Sequence, residues 1–403
     1  MANSLTASSP TYWSAIMGKK LYKTVIFRAI TDFSEESLLK GNGVIVDRPY
    51  RSDIVGEDYT KGTALTAQDL TSTTDKLTIN RFKSLLMYVD DIDRLQNKYN
   101  SVKEWSEEAG QRLGILVDSD ILYEAINCVA ANEIDDSELG GTATEGITLT
   151  ASNIDDVFGE MREVMDNANV PEEETYCTIS SLFRNKLWQR IGGKESILGD
   201  KTAETGNIGT YNGFKIFKTN NLTGVARWTP ADNPTDEATI TIEGITFTFQ
   251  SVIGTTAGNI LQTTSLAVTI DNLVALINAG GVGDDTNYVS LSTANKRTVQ
   301  NWVAYDGATY FEIRCKGTPT LTVASSEAAD TWDAKYMVQN ILFGRKKAIS
   351  AAIQTDPMVD VAMASTVSAG KRGTNVMPLV AYGKTVFNAG TYEIGRLEVR
   401  MDS

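Results

Sequence analysis

The sequence predicts an α+β fold built from several unlike regions, and three observations carry that expectation. A long amphipathic helix, residues 99–131, is followed by helix, strand, helix and strand up to about residue 225. A strand-rich segment with little core of its own, residues 41–90, precedes the long helix. A stretch rich in Thr, Ala, Gly, Asn and Asp, residues 226–336, interrupts the second half, after which the earlier character resumes.

Composition narrows the function. The 403 residues suggest two or three domains, and an apolar fraction of 42% is enough for real cores. No run approaches the roughly 20 apolar residues of a membrane span, so no membrane partner is expected. The N-terminal residues lack the basic start and apolar centre of a signal peptide. Cys128, Cys177 and Cys315 are too scattered for a disulfide framework or zinc site. Histidine is absent, which removes Ser-His-Asp and Cys-His nucleophile systems and most transition-metal sites. The net charge of −14 argues against wrapping nucleic acid over the whole surface. Residues 1–31 nevertheless carry Lys19, Lys20, Lys23 and Arg28 and no acid, a basic arm ahead of an acidic body.

The elements follow in order. In residues 1–40, Trp13, Ile16, Leu21, Val25, Ile26, Phe27 and Ile30 show no clean period, so the segment must lie on something else. In 41–90, Val44, Val46 and Arg48-Pro49 read as an edge strand, because proline cannot donate to a ladder. Residues 53–67 read as an extended tip, and Leu77-Thr78-Ile79, Phe82 and 84–89 as returning strands of one long hairpin. An isolated hairpin is marginal in water, so a neighbouring subunit is the natural cover.

Asp90, Asp91 and Asp93 invite a calcium reading, but Leu95 and Gln96 stand where an EF-hand needs an oxygen ligand and a glycine. A turn with acids favoured by the helix dipole is expected instead, and no metal site. In the long helix, Ser101 and Glu104 form a capping-box pattern. Trp105, Ala109, Leu113, Leu116, Val117, Ile121, Leu122, Ala125, Ile126 and Val129 mark one apolar face. At about 1.5 Å per residue the rod would reach roughly 45 Å. Trp105 and Leu113 should be buried, and Glu104, Glu108 and Arg112 should face outward or toward a neighbour.

Residues 151–169 form a second helix, with Ile154, Val157, Phe158, Met161, Val164, Met165 and Ala168 inward. Thr175 to Ile179 read as a buried strand. Ser180 caps a third helix with Leu182, Phe183, Leu187, Trp188 and Ile191 inward, and 211–218 is a strand. The 226–336 stretch has 12 acids against 6 bases. It holds a period-2 hairpin around Glu243-Gly244 and a short helix near 271–279. Strands are expected near 288–291, 302–305, 310–315 and 320–323. The whole reads as a self-contained module inserted in a surface loop.

Two glycine motifs carry no chemistry. Gly383-Lys384-Thr385 lacks the P-loop's upstream glycine, since Pro378 stands there. Gly206-Asn207-Ile208-Gly209 is not set in a βαβ unit. Both read as turn glycines. A carboxylate enzyme needs two acids converging in a groove, whereas these acids fall in caps, turns and exposed faces. Neither catalytic residues nor a cofactor are expected.

The order of basic arm, hairpin, aspartate-rich turn, rod, α+β domain and terminal strands resembles the major capsid (coat) proteins of tailed bacteriophages. These share the Hong Kong 97-like fold. The likeness rests on Gly41-Asn42-Gly43-Val44, Tyr59-Thr60-Lys61-Gly62, Leu77-Thr78-Ile79-Asn80 and Val89-Asp90-Asp91-Ile92-Asp93-Arg94-Leu95-Gln96. It also rests on Asn207 through Phe217, Tyr382-Gly383-Lys384-Thr385-Val386 and Leu397-Glu398-Val399. The resemblance implies an N-terminal arm at 1–40, an extended loop at 41–90 and a peripheral domain with its spine helix at 91–150. It implies an axial domain at 151–225 and 337–380, an inserted β-rich surface module at 226–336, and C-terminal strands at 381–403 returning to the peripheral domain.

The implied function is an icosahedral shell of hexamers and pentamers around a double-stranded DNA genome, assembled in the host bacterial cytoplasm. With the hairpin starting near Gly41, no scaffolding segment fits ahead of it, so a separate scaffolding protein is expected. A portal, nonspecific contact with packaged DNA and a decoration protein complete the implied partners. Some members cross-link a hairpin lysine to an asparagine; Lys61 stands near that place without an identifiable partner. The competing expectation is an exported bacterial surface-binding protein that uses the β-rich insert.

Overall fold

The computed structural model describes residues 23–39, 45–51, 54–69, 72–90, 92, 101–192, 209–363, 373–387 and 392–402. Backbone alone is described at 39, 50, 51, 73, 101–104, 354–363 and 373–376. The readings made on 1–22, on Gly41 to Val44, on Asp91 and Asp93 to Gln96, and on Gly206 to Ile208 lie outside the described residues. So do the Ser101 and Glu104 side chains.

Two single-turn helices open the described chain, α1 (Phe27–Ile30) and α2 (Glu36–Leu39). The hairpin β1 (Ile45–Arg51) and β2 (Ser72–Thr78) follows, then β3 (Arg81–Ser84) and β4 (Met87–Asp90). Helix α3 (Ser101–Leu122) leads through β5 (Glu133–Ile134) to α4 (Ile154–Asn167), β6 (Thr175–Ile179) and α5 (Ser181–Gly192). Next are β7 (Thr210–Tyr211), β8 (Phe214–Lys218) and β9 (Thr223–Thr229). Then come β10 (Thr239–Ile242), β11 (Ile245–Gln250), β12 (Asn259–Leu261), α6 (Leu266–Asn278) and α7 (Thr293–Val299). Strands β13 (Trp302–Asp306), β14 (Phe311–Cys315), β15 (Val323–Ser325) and β16 (Thr331–Trp332) precede β17 (Val338–Arg345). The chain ends with β18 (Ile349–Met363), β19 (Gly373–Val386) and β20 (Ile394–Arg400).

Strand β17 is the hub of a ten-stranded mixed sheet. Its first residues pair with β9 and its last with β6, while β20 runs along it from Val338↔Arg400 to Gly344↔Ile394. Every residue of β17 from Val338 to Gly344 is buried, and Ile341, Leu342 and Phe343 close the main core with α4, α5 and the 117–125 part of the chain. A second sheet, β18-β19-β3 with β4 also on β19, lies beside the end of α3.

Several elements depart from expectation for identifiable reasons. Helix α3 has 22 residues, about 33 Å, and passes at Leu122 into a 3-10 helix over Tyr123–Asn127. The apolar period continues through Ala125, but this tighter turn packs on β17 and β20 instead of extending the rod. Leu113 is buried and Arg112 exposed, whereas Trp105 is 41% exposed. The N-terminal half of α3 thus commits one face only, while residues 117–122 are buried consecutively. Trp188, expected inward on α5, is exposed; Phe183, Leu187 and Ile191 are buried on that face and Leu182 packs partly buried against the same core. Ser180 caps α5 as expected, its Oγ accepting the Phe183 N–H at 3.2 Å.

Residues 211–218 are not one strand. Asn212 and Gly213, both at positive φ, make the two-residue turn between β7 and β8. Residues 84–89 do not return along β1 either: β1 pairs only with β2, and β3 and β4 pair with β19. Gly383 sits inside β19 and not in a turn. A Cβ there would lie 2.3 Å from the Thr78 carbonyl oxygen, so the bare backbone is what lets β2 approach.

The 226–336 stretch has a separate core centred on Trp228, Phe247, Phe249, Leu273, Leu276 and Phe311, with the Trp228 and Phe249 rings stacked at 5.7 Å. Its β10-β11 hairpin turns at Glu243-Gly244, both at positive φ. The 288–291 segment contributes an isolated bridge, Ile260↔Tyr288, in place of a strand, and α7 is an addition that no sequence period announced. Its hydrogen bonding is not closed on itself, because β14 pairs with β9 and β9 with β17, extending the main sheet.

Candidate functional site

Among the described residues no three His, Cys, Asp or Glu side chains stand close enough to hold a metal ion. Cys177 and Cys315 are buried in strands, and burial pushes the Cys128 thiol up to about 12. What the structure offers is surface without internal support, and a set of buried charges that holds the supporting elements in place.

The first such surface is the hairpin. From Ile45↔Thr78 to Arg51↔Ser72 it is a regular antiparallel ladder. Among the described residues, only its base touches a core, a small cluster of Leu77, Ile79, Ala352, Ala381 and Phe387 with Val46 against it. Arg48 fixes the base by pairing with Glu35 at 2.8 Å and lying over the Phe387 ring at 4.0 Å. Beyond it, every residue from 54 to 69 is exposed, including Ile54, Val55, Tyr59 and Leu65. The tip keeps its shape with its own groups. Glu57 accepts the Thr66 N–H at 3.2 Å, and the Gln68 side chain bonds both backbone groups of Val55. The turn at Thr60 to Thr63 places Gly62 at φ +90°.

The second surface is one face of β3, β4 and β19. Register places Phe82 opposite Ala381, Ser84 opposite Leu379 and Tyr88 opposite Asn375, all on the same face. Phe82 is 66% exposed, with Tyr88 and Leu379 exposed beside it, and the neighbouring Leu86 is 62% exposed. The opposite face carries Arg81, Lys83, Val380 and Tyr382 toward α3. Phe82, Leu86, Tyr88 and Leu379 make this exposed region a candidate interaction surface.

Between these surfaces lies Asp120, in the buried part of α3. Its Oδ1 meets Lys316 Nζ at 2.7 Å, and its Oδ2 meets Arg81 at 2.5 Å and accepts the Tyr382 hydroxyl at 3.0 Å. Lys384 donates to the Asp120 backbone carbonyl and pairs with Glu124 at 2.6 Å. Burial alone would raise the Asp120 carboxyl, but Lys384, Lys316 and Arg81 outweigh it and hold it far below the usual carboxylate range. Burial lowers the Lys384 ammonium, and Glu124 and Asp120 partly restore it. One carboxylate therefore ties α3 to β3 at the root of the hairpin, to β19, and to the insert through Lys316.

Two residues earlier, Asp118 anchors the arm. Its Oδ1 accepts the backbone N–H of Ile26 at 2.9 Å and of Phe27 at 2.7 Å, and its Oδ2 accepts the Asn221 amide at 2.6 Å. Burial pushes its carboxyl up to about 6, against the opposing pull of the three donors. An unfolded aspartate titrates near 3.9. The folded state therefore retains a proton that the unfolded state releases between about pH 4 and pH 6. This group's contribution is greatest below pH 4 and is lost as pH rises through 6, about 3 kcal/mol in all. Thermal midpoints recorded from pH 4 to 6.5 are expected to show this component in the native chain and not in Asp118→Asn; equal slopes in both would refute it.

The sequence singled out neither aspartate. The signal was present: Asp118 and Asp120 stand in the largely apolar 115–122 part of α3, and both are buried. Of the motifs it did single out, Asp90 accepts the Ile92 N–H at 2.9 Å as an ordinary turn carboxylate. Lys384 belongs to the buried ion cluster. Lys61 lies at the exposed tip. Lys23, the last lysine of the basic N-terminal stretch, donates its ammonium to the Gly317 carbonyl of the same chain.

No protein-family model and no curated protein matches the chain. Solved structures do. A structure from Mycobacterium phage Che8 is similar over 96% of both chains, with TM-score 0.57 and 13% identity. The capsid structure of Cyanophage P-SCSP1u is similar over 99% of this chain and 95% of its own, with TM-score 0.53 and 13% identity. The capsid asymmetric unit of Cyanophage Pam1 is similar over 99% of both chains, with TM-score 0.52 and 12% identity. Nearly the whole chain therefore has the mixed helix-and-sheet fold of phage capsid structures.

Proposed function

We propose that this chain, with its phage capsid fold, is the major capsid protein of a tailed bacteriophage. It self-assembles as hexamers and pentamers into the icosahedral shell around a double-stranded DNA genome. The observation that carries the reading is the hairpin: sixteen consecutive exposed residues, 54–69, stand on a ladder whose only core is at its base. Such an element becomes stable by lying on another copy. The apolar face around Phe82 and Leu379 supplies a surface of matching character on each copy. Head-to-tail contact of two different patches closes into rings.

In this reading 1–40 is the arm, 41–90 the extended loop over the adjacent subunit, and α3 the spine of the 91–150 peripheral region. Residues 151–225 and 337–380 form the axial domain, 226–336 the inserted surface module, and 381–403 the returning strands. The role is structural and not catalytic, and the site of action is the virion. A separate scaffolding protein, a portal and a decoration protein are its expected partners. The fold match over nearly the full chain favours this reading over an exported surface-binding protein.

Electron microscopy of the purified chain, alone and with a co-expressed scaffolding protein, should show shells, tubes or capsomers. A strictly monomeric particle at high concentration would overturn the proposal.

A further inference from the structure

We infer that the cavity lined by β20 and β14 on the main sheet binds a neutral sugar ring, held by the charged groups of its wall and stacked on its tyrosines. The inference does not rest on the shell reading. The cavity has a volume of about 270 Å³. That is room for about nine waters, or for one pyranose ring in their place. Strand register builds it. Tyr305 stands opposite Glu312, Glu312 opposite Arg227, Arg314 opposite Val225, and Val225 opposite Val338. Arg396 and Glu398 join from β20, two places apart and so on one face of that strand. Glu133 of β5 and Asp135 also line the wall.

The wall is charged but internally paired. Glu312 is buried and holds Arg227 at 3.2 Å and Arg314 at 2.8 Å. Arg396 meets Glu133 at 3.0 Å and Glu398 at 3.1 Å. Burial raises the Glu398 carboxyl, Arg396 opposes it, and Glu133, Glu312 and Asp135 raise it further. An anion entering here would meet all of these carboxylates, and a cation would meet the guanidinium groups. A neutral polyhydroxylated ligand displaces no ion pair. It also supplies what the wall lacks. Nε of Arg227 and Nε of Arg396 are buried donors without an acceptor among the described residues, which is costly. A sugar hydroxyl accepts from such an N–H and donates to a remaining carboxylate lone pair.

The tyrosines separate a sugar from water. Water satisfies an N–H group but gains nothing from an aromatic wall. Tyr305, Tyr310 and Tyr336 all line the cavity. The Arg227 guanidinium lies 4.2 Å from the Tyr310 ring centre and 4.2 Å from that of Tyr336, which holds its planar fork in place. Tyr305 is 52% exposed and stands at the rim. Its ring offers a flat apolar surface for the C–H face of a pyranose, while the sugar's hydroxyls reach the charged groups from the edge.

The test uses the full-length chain and saturation-transfer NMR. The probes are methyl glucoside, methyl galactoside, methyl mannoside and N-acetylglucosamine, each titrated through the millimolar range. At least one should bind saturably. Tyr305→Ala should weaken that sugar about tenfold, the size of one stacking contact. Arg227→Lys keeps the charge facing Glu312 and removes the fork, and it should weaken binding as well. Trp188→Ala on α5, an exposed aromatic outside the cavity, should leave binding unchanged. Inorganic phosphate at constant ionic strength should not displace the sugar. Thermal midpoints confirm that each variant is folded. Retention of the chain on a polysaccharide of the bound sugar, with release by the free sugar, identifies a glycan end as the source. Saturable binding without retention identifies a free saccharide.

No saturable transfer to any of the probes, equal losses in Tyr305→Ala and Trp188→Ala, or displacement by phosphate would overturn the inference. Electron microscopy of the native chain reads assembly separately. Shells without sugar binding would sink the cavity assignment alone. Sugar binding by a chain that never assembles would leave it standing while the shell reading falls.

Discussion

Asp120→Ala is expected to destabilise the folded chain by about 3–5 kcal/mol, the cost of breaking a buried ion pair from one side. The carboxylate is 4% exposed and faces Lys316, Arg81 and Lys384, so its removal leaves three cations around a site that water barely reaches. Lys384 suffers most. Its side chain is 1% exposed and would keep only Glu124 as a counter-ion. Asp120→Asn should cost nearly as much, because the charge rather than the volume is lost. Urea midpoints of the two variants and the native chain measure this. A loss below about 1 kcal/mol for both would mean that the cations are compensated elsewhere.

Replacing the tip, residues 54–69, by an Asn-Gly turn is expected to have the opposite profile. Every residue removed is exposed, and Val55, Glu57, Thr66 and Gln68 bond one another within the tip, so stability should change by no more than about 1 kcal/mol. The β1-β2 ladder and its Arg48 anchor remain. Assembly, by contrast, should fall below detection in sedimentation and electron microscopy, since every residue of the deleted segment is exposed. Shells of normal appearance from this variant would remove the hairpin from the assembly mechanism. A large loss of thermal stability would show instead that the tip packs on its own subunit.

Local patterns were legible where local chemistry decides the outcome. Glu243-Gly244 between alternating apolar residues is a two-residue turn in the structure, as are Asn212 and Gly213, although the latter pair was read through as one strand. The inward face of α4 is the one that its period marks, with Ile154, Val157, Phe158, Met161 and Met165 all buried. What could not be read is what depends on distant partners. The period of α3 places Trp105 with Leu113, yet Trp105 is half-exposed while Leu113 is buried. Asp120 finds Lys316 and Lys384, 196 and 264 residues away, a pairing that no spacing rule reaches. Strands β3 and β4 look like hairpin continuations because their partner, β19, comes nearly 300 residues later. The insert's own core was anticipated from the change in composition. Its continuity with the main sheet depends on β9 and β14, whose separate patterns reveal nothing of their pairing.

The placement of Asp120 also imposes an order on synthesis. Arg81 and the aspartate leave the ribosome early, but Lys316 follows after most of the insert, and Tyr382 and Lys384 only near the end of the chain. Strand β20, which completes the main sheet along β17, is the last element of all. A nascent chain therefore carries Asp120, near the C-terminal end of α3, without Lys316, Tyr382 and Lys384, and it lacks β19, the strand that seats β3 and β4. The surfaces assigned to contact between copies reach their final positions only once translation is nearly complete. Under the proposed shell function, association through the β3, β4 and β19 face is therefore expected only after β19 has been made.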